Sequence, residues 1–84
     1  MYVLKQTCSS CPEQYEVFKN DKQCGYIRLR HHVFRVDYPD CGERVIFSTY
    51  LKDDDGCFAN ETKRQKMLIL ALTKISEYES ANIS

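Results

Sequence analysis

Five cysteines and two histidines lie in this chain of 84 residues. Thiolates and imidazoles hold zinc, exchange disulfides and act as nucleophiles, so their spacing is weighed first. Cys8 and Cys11 form a C-x-x-C pair, and the His31-His32 pair and Cys57 follow far along the chain. If residues 13–51 form an antiparallel meander, the approach to its first strand, the His31-His32 turn and the exit after Leu51 fall at one end. Cys8, Cys11, Cys57 and His31 could there complete a tetrahedral zinc site. The plainer account is a pair of loop thiols with structural cysteines elsewhere, because zinc ribbons carry two knuckles and Cys41-Gly42 lacks a second cysteine. A redox C-x-x-C ordinarily opens a helix, whereas Pro12 leads into a strand. Cys24 and Cys41 belong to the opposite end of such a sheet.

The arginines are the second candidate. Residues 25–51 read as three strands joined by two tight turns, with side chains alternating between faces. A two-residue turn at His31-His32 places Leu29 opposite Phe34 and Ile27 opposite Val36. Closing the turn Pro39-Asp40-Cys41-Gly42 then pairs Val36 with Val45 and Phe34 with Phe47. One face collects Ile27, Leu29, Phe34, Val36, Val45 and Phe47, which is a core. The other collects Tyr26, Arg28, Arg30, Arg35, Arg44, Ser48 and Tyr50. Guanidinium groups meet phosphates or guanine edges while tyrosine rings stack, and Tyr and Arg are enriched at interaction hot spots, so this second face is a candidate binding surface for nucleic acid or protein. The plainer account is a solvated sheet face with cross-strand pairs such as Asp37 with Arg44 and Glu16 with Arg28.

The remaining elements must support those faces. Residues 13–19 read as a further strand with Tyr15 and Val17 on one side. Residues 20–23 supply turn chemistry, and keeping Tyr15 and Val17 with the core set requires a loop of odd length or a bulge. Residues 1–12 are a tail or an edge segment, residues 7–12 being a polar loop that ends at a proline. Residues 52–60 form a solvated acidic loop. Its aspartates do not fit a calcium-binding helix-loop-helix, because aligning Gly56 with the invariant glycine leaves Leu51 and Thr62 at ligand positions.

Asn60 is an N-cap for a helix over residues 61–79, whose stripe of Leu68, Ala71, Leu72, Ile75 and Tyr78 packs on the sheet. Met67, Ile69 and Leu70 widen that stripe, which implies either deep seating in a curled sheet or a second contact such as a homodimer through the helix. Lys63, Arg64 and Lys66 offer a smaller anion site at the helix start. Residues 81–84 are expected to fray.

Equal numbers of acidic and basic residues leave no net charge, so any electrostatic recognition comes from local patches. No apolar run is long enough for a membrane span or a signal peptide, which predicts a cytoplasmic protein with reduced thiols or a metal in preference to a disulfide framework.

Pro12-Glu13-Gln14-Tyr15, Gly25-Tyr26-Ile27-Arg28-Leu29-Arg30-His31 and Phe34-Arg35-Val36-Asp37-Tyr38-Pro39-Asp40-Cys41-Gly42 together resemble a group of short bacterial and prophage proteins. The group usually has glycine at the position of His32. The resemblance implies a bacterial or phage origin in the cytoplasm and carries over no activity. Three antiparallel strands followed by a helix also look like the small DNA-binding domain at the N-terminus of some tyrosine integrases, a likeness of topology alone. The expected fold is therefore α+β, a four-stranded antiparallel meander with one C-terminal helix packed on one face. The expected function is non-enzymatic protein binding of a phage or prophage accessory kind, with nucleic-acid binding through the open sheet face as the alternative.

Overall fold

The computed structural model describes residues 1–8 and 11–82, so Ser9 and Ser10 of the expected polar loop and residues 83–84 of the segment expected to fray lie outside the described residues, while residues 81 and 82 continue the helix. Its elements are β1 (Val3–Cys8), β2 (Glu13–Lys19), β3 (Lys22–Arg30), β4 (Val33–Tyr38), β5 (Arg44–Tyr50) and α1 (Glu61–Asn82). The five strands form one antiparallel sheet in chain order. The count is five, not four, because residues 3–8 take the edge position beside β2, where Leu4 pairs with Val17 and packs on the core. Among the described residues no helix is long and apolar enough to cross a membrane.

Turn chemistry and face parity together set the register. His31 and His32 have φ of 51° and 65°, and Asn20 and Asp21 have 54° and 63°. Two-residue turns with both φ positive match the natural twist of a hairpin. At His31-His32 the pairing is the one expected, with Leu29 opposite Phe34 and Ile27 opposite Val36. The loop at Asn20-Asp21 is even, which alone would turn Tyr15 and Val17 outward. Cys24 enters as an extra residue between the Phe18–Gln23 and Val17–Gly25 pairs, and the bulge returns both side chains to the core.

The β4–β5 register departs from expectation. Val36 pairs with Phe47 and Phe34 with Thr49, while Asp37 faces Val45 and Tyr38 faces Arg44, with Ile46 as the extra residue of a second bulge. The slip moves Val45 out of the core, where it is 54% exposed. It also carries Arg44 to the face of Tyr38, away from the other arginines. Ile46 and Phe47 pack beside the core in place of Val45, the Phe47 ring standing edge-on to Phe34 at 6.4 Å.

Helix α1 covers the face built by Val17, Ile27, Leu29, Phe34 and Val36 through Leu68, Ala71 and Ile75. Met67 and Leu72 pack at its margin, whereas Ile69 stays 62% exposed on the far side. Asn60 caps the helix, its Oδ1 accepting from the Lys63 amide at 2.8 Å. The helix comes closest at Gly25: a Cβ there would stand 2.5 Å from Ile75 Cδ1 and 3.3 Å from Val17 Cβ. Glycine at this position allows close seating of helix on strand.

Loop 52–60 is not solvated throughout. Phe58 enters the core against Phe34, with ring centroids 5.8 Å apart. Asp54 is buried, accepting from the Ala59 amide at 3.0 Å and pairing with Lys63 at 2.5 Å. Beside it lies the most connected polar group of the interior. Glu13 accepts from the Tyr15 hydroxyl at 2.6 Å, the Phe58 amide at 2.9 Å, and Arg64 Nε and Nη2 at 2.8 and 2.9 Å. Burial pushes the Glu13 carboxyl up, but Arg64, Tyr15 and Phe58 outweigh burial and hold it below its ordinary value. Burial and the neighbouring carboxylate push the Tyr15 phenol up to about 12. At the opposite end Glu79 accepts from the Tyr2 and Tyr38 hydroxyls at 2.7 and 3.1 Å, fastening the chain start and β4 to the helix.

Gly25→Ala should cost about 1–3 kcal/mol of unfolding free energy in urea titration, because Ile75 must give way. The pH dependence has a definite sign. Glu13 has a folded value below 4.5, so its contribution is present above 4.5 and disappears as pH falls through the folded value. Tyr15 rises from 10.0 to about 12, so its contribution is present below 10.0 and disappears as pH climbs through about 12. Stability measured against pH should fall at both ends, and Tyr15→Phe should flatten the alkaline limb.

Candidate functional site

The face of the sheet away from α1 carries the candidate site. Strand alternation places Arg28 and Arg30 of β3 and Val33 and Arg35 of β4 on it, with Tyr50 of β5 beside Val33. Arg28 and Arg35 are direct cross-strand partners, and Arg30 is opposite Val33. Opposed like charges disfavour a sheet, so their placement calls for compensation. Arg35 has it: Nε lies 2.9 Å from Oδ1 of Asp37, two residues along the strand on the same face. Asp37 is wholly buried, and its Oδ2 accepts from the Gly42 amide at 2.9 Å, so the β4–β5 turn closes over it. Among the described residues Arg28 and Arg30 have no carboxylate partner, Arg30 Nε donating instead to His31 Nε2 at 3.3 Å. These side chains border a cleft of about 310 Å³ lined by Arg28, Arg30, His31, Val33 and Arg35.

A second cleft of about 470 Å³ shares Arg30 and His31 with the first and is otherwise lined by Cys11, Pro12, Asp55, Gly56 and Cys57. Cys11 and Cys57 form a disulfide with Cα atoms 5.3 Å apart, within the normal span. The expectation of reduced thiols or metal at this pair is thereby corrected. The meander does bring Cys11, Cys57 and His31 to one end, but two of the four expected zinc ligands are bonded to each other and Cys8 is not in the cleft wall. The residues present do not fit zinc: among the described residues no cluster of three or more His, Cys, Asp or Glu could hold a metal ion. Cys24 is buried and Cys41 exposed, both at the other end.

Of the six expected binding residues, the structure gathers Arg28, Arg30 and Arg35, with Tyr50 close by. Tyr50 is 66% exposed, its ring 5.5 Å from that of His32. Tyr26 is on the expected face but only 8% exposed, beneath the turn that carries Cys41; burial, then Cys41, push its phenol up. Arg44 is removed by the Ile46 bulge. Asp37 takes Arg35 as partner in place of Arg44, and Glu16 lies opposite Tyr26 while Gln14 faces Arg28. The anion site at the helix start is filled from within, since Lys63 pairs with Asp54 and Arg64 with Glu13 and Glu61.

The exposed Val45 and the buried Asp37 are site features that parity alone missed. An acidic residue two positions from Arg35 on the same face was the available signal for the second.

Compared with protein-family models, curated proteins and solved structures, the chain matches none.

The two partnered arginines should respond oppositely to truncation. Arg28→Ala removes a like-charge neighbour and should leave stability unchanged or raise it by up to about 1 kcal/mol. Arg35→Ala strands the buried Asp37 carboxylate and should cost about 3 kcal/mol. Thermal and urea unfolding of the two variants would check the contrast.

Proposed function

We propose that the chain is a small non-enzymatic binding domain of the cytoplasm, and that its open sheet face takes an acidic segment of another protein. The observation that carries this reading is the Arg28–Arg35 pairing, with Arg28 and Arg30 having no carboxylate partner among the described residues around a cleft. Positive side chains held together without compensation cost the free protein stability, which an anionic ligand would restore. Val33 and Tyr50 border the same arginines and are exposed. Arginine and tyrosine around an apolar spot are the residue types that dominate protein interfaces.

Nucleic acid is the second reading, supported by the same guanidiniums. Against it stand the absence of net charge and the carboxylate of Glu16 one row along the face, where a continuing phosphate backbone would pass. A short acidic peptide with aromatic residues is discrete enough to fill the basic end alone.

Titrating glutamate- and tyrosine-containing peptides into labelled protein should shift the amide resonances of β3 and β4. Arg28→Ala combined with Arg30→Ala should weaken binding tenfold or more, the equivalent of about 1.4 kcal/mol. Absence of peptide binding at low salt, together with steeply salt-dependent binding of duplex DNA, would replace this reading with the second.

A further inference from the structure

We infer that the Cys11–Cys57 disulfide is an exchange site for small acidic thiols, opening to a mixed disulfide at Cys11 without unfolding the domain. This goes beyond the binding reading and does not depend on it. Three observations carry it. The disulfide lies in the wall of an open cleft, and Cys11 itself is exposed, so an incoming sulfur has access. Exposed disulfides are the labile ones, whereas structural ones are generally enclosed.

The loop that the bridge joins to β2 is also held without it. The Glu13 amide donates to the Gly56 carbonyl at 2.8 Å, the Phe58 amide donates to Glu13, the His32 amide donates to the Asp55 carbonyl at 2.8 Å, and Asp54 pairs with Lys63. Phe58 is meanwhile anchored in the core. Opening the S–S bond therefore removes a covalent tie from a loop that other contacts keep in place.

The third observation is charge. Arg30 and His31 line the same cleft as the two cysteines, and the adjoining cleft adds Arg28 and Arg35. Among the described residues Asp55 is the one carboxylate lining the disulfide cleft. Guanidinium groups remain charged at any working pH, so the approach favours a thiol bearing carboxylates. Nearby positive charge also favours the departing thiolate.

The exchange is balanced. A thiolate RS⁻ attacks Cys11 Sγ, the Cys11–Cys57 bond breaks, and Cys57 leaves as a thiolate while Cys11–S–S–R forms; no external oxidant or reductant is consumed. Attack by Cys57 on the mixed disulfide reverses the step.

The test uses the oxidised full chain with glutathione as the acidic probe and 2-mercaptoethanol as the neutral one, rates being compared per thiolate. Samples are quenched by alkylation and read by intact mass and peptide mapping, with circular dichroism recorded in parallel. The expected result is one glutathione adduct on Cys11, one alkylated thiol at Cys57, and an unchanged folded spectrum. Glutathione should react about fivefold faster than the neutral thiol, and Arg30→Ala or Arg30→Gln should erase that preference. Exchange seen only under unfolding conditions would overturn the inference, as would adducts confined to Cys8, Cys24 or Cys41. A glutathione preference unchanged in both Arg30 variants would overturn the acidic-thiol assignment.

Discussion

A carboxylate sealed inside a small domain must be answered by donors, and Glu13 is answered by four. Removing one partner of a buried charge pair is typically costly, because the charge left behind is neither solvated nor neutralised. The donors come from Tyr15 on the same strand, Phe58 in the loop before the helix, and two nitrogens of Arg64 in the helix's first turns. Their convergence makes strand, loop and helix one cooperative unit. With Arg64 held at one end and Glu79 holding Tyr2 and Tyr38 at the other, the helix is fixed along its length over the core face. The opposite face of the sheet is thereby left uncovered by the helix.

Which residues occupy that open face is decided by two bulges. Cys24 corrects the parity lost at an even hairpin loop, so that Tyr15 and Val17 reach the core. Ile46 does the reverse for β5, sending Val45 outward and Arg44 to the helix side. The surviving basic group is smaller than simple alternation implies and is concentrated at the His31-His32 end. Within it, among the described residues, only Arg35 is tied to a carboxylate. Arg28 and Arg30 are consequently positioned by the sheet without being neutralised by it, a poor arrangement for stability and a suitable one for an anionic partner.

At the same end, the disulfide and the arginines share a boundary made by Arg30 and His31. That adjacency follows from the meander, which brings the β1–β2 connection, the His31-His32 turn and the exit of β5 to one end, where loop 52–60 folds back. Backbone hydrogen bonds from His32 to Asp55 and from Leu51 to His32 hold the junction. Covalent chemistry at Cys11 would therefore occur beside the residues that form the basic cleft.

Local sequence determined the strands of the central meander, the His31-His32 turn with its Leu29–Phe34 pairing, the Asn60 cap and the buried stripe of the helix. Each rests on neighbours within a few residues: alternation, turn tolerance for positive φ, or an amide three positions along. The need for a correction near Asn20 was equally legible, since an even loop contradicted the apolar pattern. Tertiary structure alone decided the fifth strand, the Ile46 slip, the burial of Asp54 and Tyr26, and the pairing of Cys11 with Cys57. Those outcomes depend on what approaches from elsewhere in the chain: helix and loop compete for the same core volume, and a turn folds over Tyr26 and Asp37. Alternation specifies which side chains can share a face, but not how much of that face another segment will cover.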